Sequence, residues 1–125
     1  DALPILKELF DKHDAFIIAL PEHNTSMTAF FKNTIDWLSR IKVSFFEHKP
    51  IVLLSTSPGP GGGRSVLAQA EPVLSGYLAG KIIGKFGLGK FYNNVEMNGS
   101  IIQIKDEEVR NTIKELIKQL ENELK

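Results

Sequence analysis

Ala15-Phe16-Ile17-Ile18-Ala19-Leu20 is an unbroken apolar run of strand length, closed by Pro21. A run without polar alternation suits a strand covered on both faces, as in a parallel sheet. Ile51-Val52-Leu53-Leu54-Ser55-Thr56 repeats the signal. Lys81 to Phe86 is a shorter third strand that carries Gly84. Helical spacing fills the intervals. Pro4 suits a first turn, and Ile5, Leu6, Leu9 and Phe10 predict a helix over about Pro4 to Lys12. Thr25 and Ser26 are candidate N-caps for the next helix. Phe30, Thr34, Ile35 and Leu38 mark one of its faces, with Phe31 and Trp37 beside it. Val66, Ala70, Val73, Leu74 and Tyr77 mark a third helix, in which Pro72 predicts a kink or break and Gly80 a stop. Gly87 to Ser100 is polar and reads as a loop. Asp106 should cap a last helix whose stripe is Val109, Ile113, Leu116, Ile117, Leu120 and Leu124.

Strands alternating with helices predict an α/β domain with a parallel sheet and right-handed crossovers. Three strands alone would leave the uncharged Ala15–Leu20 run at an edge, which is a poor edge strand. At least one more strand is expected beside it, from sequence upstream of Asp1 or from another chain.

The chain has 125 residues, enough for a single domain spanning 1–125. Hydrophobic residues make up 42% and charged residues 24%, which suits a globular chain. Formal net charge is +0, so no basic excess points to nucleic acid. Cysteine is absent, which removes disulfide and thiolate chemistry. No apolar run reaches the roughly 20 residues needed to span a bilayer. No secretory signal stands out, and a cytoplasmic location is the expectation.

Two polar loops follow the first two strands, where an open α/β sheet binds its ligand. The first is Pro21-Glu22-His23-Asn24-Thr25-Ser26, whose Asn24 and Ser26 can read the edge of a heterocycle or serve turn and cap chemistry. The second is Ser57-Pro58-Gly59-Pro60-Gly61-Gly62-Gly63-Arg64. Its glycines let backbone approach a flat ligand, or simply make a flexible connection. It is not a Walker A loop, because Pro58 stands at the first glycine position and Arg64 at the lysine. His13, His23 and His48 lack metal-ligand spacing, and no Ser-His-Asp grouping appears. No catalytic side chain and no metal ligand are nominated.

Taken together, Pro21-Glu22-His23-Asn24-Thr25-Ser26, Lys32-Asn33-Thr34-Ile35-Asp36-Trp37-Leu38 and Ser57-Pro58-Gly59-Pro60-Gly61-Gly62-Gly63-Arg64 resemble the NADPH-dependent FMN reductase family, the flavodoxin-like quinone, azo-dye and chromate reductases. The family shows Pro-Glu-Tyr-Asn-x-Ser, Lys-Asn-x-x-Asp-Trp-Leu and roughly Ser-x-Gly-x-x-Gly-Gly in these places. The resemblance implies a flavodoxin-like, three-layer αβα fold, N-terminally incomplete because the family's first strands and phosphate loop have no counterpart here. It implies FMN as cofactor and NADPH or NADH as co-substrate. The cofactor-binding residues it implies are Pro21, Glu22, His23, Asn24 and Ser26 on one side of the flavin. Ser57, Pro58, Gly59, Gly61, Gly62, Gly63 and Arg64 would lie on the other. His23 departs from the family's tyrosine.

The implied activity is an NAD(P)H oxidoreductase that passes electrons through FMN to a flavin, quinone, azo compound or metal ion. The implied assembly is a homodimer or homotetramer. The alternatives are a non-catalytic flavodoxin-like fragment that self-associates or binds a partner, and an electron-transfer flavodoxin. The latter ranks lower because such domains are often strongly acidic.

Overall fold

β4 (Pro50–Thr56) is the centre of the sheet: Pro50, Ile51, Val52, Leu53 and Ser55 are all buried. It pairs in parallel with β1 (Phe16–Ala19) on one side and with β5 (Lys81–Leu88) on the other. A computed structural model describes residues 2–125. The remaining elements, in chain order, are α1 (Ala2–Lys12), the two-residue strands β2 (Glu22–His23) and β3 (Ser26–Met27), α2 (Ala29–Ile41), α3 (Arg64–Ser75), α4 (Phe91–Asn94), β6 (Val95–Asn98), β7 (Ile101–Ile104) and α5 (Glu107–Asn122).

Alternation along β4 separates the two helical layers. Ile51 and Leu53 point into a core shared with Ile35 and Leu38 of α2 and with Val66, Leu67, Ala70 and Leu74 of α3. Leu3, Leu6 and Phe10 of α1 pack against the same core. The opposite face is covered by α5, whose Leu116 lies over Gly84, where an added Cβ would come within 2.5 Å of Leu116 Cδ2. The glycine therefore marks a close sheet-to-helix approach. The layers are α1, α2 and α3, then the sheet, then α5, which makes the fold flavodoxin-like α/β. Burying each Leu or Ile of this core contributes about 1.5–3 kcal/mol before conformational entropy is counted.

Five expectations need correction. β1 is not covered on both faces, since Ile17 is 51% exposed, while its place at the edge is the one expected of three strands alone. Among the described residues no strand pairs with its outer edge. Thr25 and Ser26 do not cap α2; Thr28 does, its hydroxyl accepting the Phe31 N–H at 3.1 Å. Thr25 and Ser26 belong instead to a hairpin. Pro72 does not break α3, which continues to Ser75, so only one helical bond is lost near the end. Gly80 does not end α3 directly, although its N–H returns to the Leu74 carbonyl at 2.7 Å; Tyr77 lies beyond the helix and is solvent-facing. Residues 87–100 are not a loop. β5 runs to Leu88, α4 follows, and β6 pairs antiparallel with β7 across Gly99-Ser100, with Gly99 at φ 62°. The caps at Asp106 and the strands at 51–56 and 81–86 agree with expectation.

Buried Lys7 of α1 donates to Asp11 one turn on. That hydrogen bond, more than the charges of Lys7, Lys49 and Lys42, holds the Asp11 carboxyl below its ordinary value of 3.8. A depressed carboxyl stabilises the fold above its unfolded pKa and loses that contribution as pH falls through the lower folded value. Asp11→Asn should therefore lower stability at neutral pH and flatten the acid limb below about pH 4, where the parent loses this contribution, checked by urea denaturation across pH.

Candidate active site

The carboxyl ends of the three parallel strands lie side by side, with Ala19 opposite Leu54 and Thr56 opposite Leu88. A cavity of about 390 Å³ opens there, lined by Ala19, Leu20, Pro21, Leu54, Ser55, Thr56, Phe86, Leu88 and Ile113 of α5. Its walls are mostly apolar, with the Ser55 and Thr56 side chains as polar points. Ser55 Oγ donates to the Leu20 carbonyl at 2.6 Å and Thr56 Oγ1 to the Leu88 carbonyl at 2.7 Å. Both hydroxyls thus tie strand ends together.

Residues 22–27 form a tight hairpin, with Glu22 opposite Met27 and His23 opposite Ser26. Its two central residues, Asn24 and Thr25, have φ of 51° and 64°. A two-residue hairpin turn of this hand needs positive φ at both places. Asn tolerates that, whereas a β-branched Thr is strained there. His23 and Asn24 are exposed at the tip. Glu22 turns away from the tip, and its Oε2 accepts the Val66 N–H at 2.8 Å in the first turn of α3. Ser26 Oγ donates to Gln69 Oε1 at 2.8 Å. Of the first-loop candidates, Pro21 lines the cavity, His23 and Asn24 face solvent, and Glu22 and Ser26 hold the hairpin against α3.

The glycine loop divides in two. Gly62 (φ 62°) and Gly63 (φ 79°) are required by packing: a Cβ on Gly63 would sit 1.9 Å from Ser55 Oγ, and one on Gly62 2.8 Å from the Gly87 backbone. Ser57 Oγ accepts the Gly62 N–H at 2.9 Å and donates to the Gly59 carbonyl at 3.1 Å. Gly59 and Gly61 differ. A Cβ on Gly59 meets nothing within 4 Å, and on Gly61 only Arg64 Nε at 3.9 Å. Nothing in the fold itself demands glycine at 59 or 61. Pro58 and Arg64 are exposed beside them.

Sequence reasoning missed Gln69, Phe86 and Ile113, and it missed the pair Gly87 and Gly89. The glycine pair had a readable signal, two glycines either side of Leu88 where the third strand ends; the other three emerge only from packing. An apolar cavity lined by Ala19, Leu20, Pro21, Leu54, Phe86, Leu88 and Ile113 at the carboxyl ends of the strands fits the ring system of a flavin. The start of α3 fits a phosphate poorly, because the Glu22 carboxylate already takes the Val66 amide and would repel a second anion. Among the described residues there is no group of three His, Cys, Asp or Glu able to hold a metal, and no helix long and apolar enough to cross a membrane.

Comparison with known proteins gives a consistent picture. The sequence profile of NADPH-dependent FMN reductases matches residues 1–93. An NADPH azoreductase of Bacillus sp. (strain OY1-2) is 34% identical over 82 residues, which cover 66% of this chain and 44% of that protein. An NADPH:quinone oxidoreductase of Arabidopsis thaliana is 44% identical over 52 residues, covering 42% and 26% respectively. The matched segment is thus less than half the length of either relative. Among solved structures, the flavoenzyme NAD(P)H:(acceptor) oxidoreductase of Paracoccus denitrificans superposes with a TM-score of 0.75 at 22% identity, covering 97% of this chain and 68% of that one. An oxidoreductase from Corynebacterium diphtheriae superposes at 0.72 and 18% identity, covering 94% and 59%. At these identities the superpositions speak to the fold.

Two substitutions separate strain from packing in the loops. Thr25→Gly relieves a positive φ and should raise stability by about 0.5–1 kcal/mol. Gly63→Ala forces a left-handed alanine against Ser55 and should cost about 2–4 kcal/mol. Chemical denaturation of both variants beside the parent measures the two signs.

Proposed function

The chain belongs to the NADPH-dependent FMN reductase family, and from that premise we propose that it forms the ring-facing part of an FMN-dependent NAD(P)H oxidoreductase. The observation that carries the proposal is the placement of the apolar cavity between two loops at the carboxyl ends of the sheet. FMN, when bound, would supply hydride acceptance from NADPH or NADH and delivery of electrons to a small acceptor such as a flavin, quinone, azo compound or metal ion. Pro21, Leu54, Phe86 and Leu88 would exclude water from one side of the ring. Gly59 and Gly61 would bring backbone close to it, with Ser57 and Pro58 shaping the loop and Gly62 and Gly63 holding it in place. His23, Asn24 and Arg64 would border the opening, while Glu22 and Ser26 fix the hairpin. No side chain is required as acid or base. The relatives' names as azoreductase and quinone oxidoreductase support a permissive acceptor site. The cytoplasm, where NAD(P)H is regenerated, is the compartment this chemistry implies.

The proposed assembly is a homodimer or homotetramer. Phe30 (82% exposed), Trp37 and Ile41 lie along one outward stripe of α2. Trp37 is therefore not a core residue, and a second subunit is the occupant proposed for this stripe.

FMN titration followed by the flavin's visible spectrum and fluorescence tests the cofactor proposal. The chain should perturb both. Gly59→Ala and Gly61→Ala should each weaken FMN binding about tenfold while stability stays within about 0.5 kcal/mol. A chain that leaves the flavin unperturbed, both as it stands and when extended upstream, would sink the proposal. Phe30→Ser with Trp37→Ser should shift the species to monomer in sedimentation at micromolar concentration; a parent already monomeric there refutes the assembly.

A further inference from the structure

Glu22 and Gln69 make links that run in opposite directions between the same two elements. The Glu22 carboxylate reaches from the β2–β3 hairpin to helix backbone, where Oε2 accepts the Val66 N–H at 2.8 Å. The Gln69 carboxamide reaches from α3 to the hairpin, where Oε1 accepts from Ser26 Oγ at 2.8 Å and from the Met27 N–H at 2.9 Å. Val66 and Gln69 are neighbours on one side of the helix, three residues apart.

We propose that Glu22 and Gln69 form a reciprocal clasp which locks the hairpin to α3, so that the two loops bordering the cavity move as one body. The hairpin has little else to hold it. Its strands are two residues long, they pair only with each other, and its turn carries two residues at positive φ. Such a hairpin is marginal by itself. Met27 is its one buried apolar anchor. A single anchor lets the hairpin pivot, whereas two hydrogen-bonded links from opposite sides remove that freedom. The favourable end of the α3 dipole strengthens the Glu22 link in particular.

Both residues are positioning residues in the flavin reading of the site, and the clasp's effect on FMN rests on that reading. The clasp has its own signature in the free chain. In amide hydrogen exchange by NMR, Gln69→Leu should accelerate exchange at Val66, whose acceptor is Glu22. Glu22→Ala should accelerate exchange at Met27, whose acceptor is Gln69. Each cross effect should be about tenfold, the size of one lost hydrogen bond. Exchange at Leu53 in β4 should not change, which separates clasp opening from global unfolding. Glu22→Gln keeps an acceptor oxygen and should show a smaller cross effect of the same sign. Substitutions that expose only their own partner amide would overturn the proposal. In FMN titrations Gln69→Leu should weaken binding and Glu22→Gln should restore most of what Glu22→Ala loses. A parent chain that does not perturb flavin overturns the flavin reading, while the exchange pattern still decides the clasp.

Discussion

Backbone lies directly on backbone where the glycine loop crosses the end of β5. A Cβ on Gly87 would stand 2.3 Å from the Gly62 carbonyl oxygen, and one on Gly89 would stand 2.5 Å from that of Pro60. Hydrogen bonds seal the contact, from Ser57 N–H to the Leu88 carbonyl at 3.1 Å and from Lys90 N–H to the Gly59 carbonyl at 2.7 Å. This approach sets where α3 begins. With α3 set, Gly63 presses on Ser55, Ser55 ties β4 to Leu20, and Val66 and Gln69 are in place to receive the hairpin. Side chains in this seam would push the loop off the sheet and widen every distance around the cavity.

The same contact sorts the glycines by purpose. Gly62 and Gly63 answer to the fold, since their φ values and neighbours forbid a side chain. At Gly59 and Gly61 a side chain would meet no close neighbour. Four glycines in a row of eight residues carry no such distinction until neighbours are known. Likewise Glu22 sits in the first motif beside His23 and Asn24, yet its carboxylate turns inward to a helix amide. A motif residue can thus build the site without facing the ligand.

Much of the architecture was legible because burial and period agree. Ile51 to Thr56 reads as a covered strand and is one, and the α5 stripe follows its spacing as far as Leu120, whereas Leu124 lies beyond the helix and is 51% exposed. Misreadings arose where local signals compete. Thr25, Ser26 and Thr28 are all plausible caps, and only the hairpin's two-residue turn shows which is used. Pro72 falls close enough to the end of α3 for the helix to absorb the missing bond. The Asn98-Gly99 step before Ile101-Ile102 carried a hairpin signal that the surrounding polar residues masked.

The sequence by itself determined the order of strands and helices, the parallel sheet and the two loops at its carboxyl ends. These follow from hydrophobic period and from residue types that only certain turns accept. Tertiary structure alone decided which glycines are free and where Glu22 and Gln69 bond. Those outcomes depend on distances between residues far apart in sequence, such as Glu22 and Val66. No local pattern encodes them, because they exist only once the layers have packed.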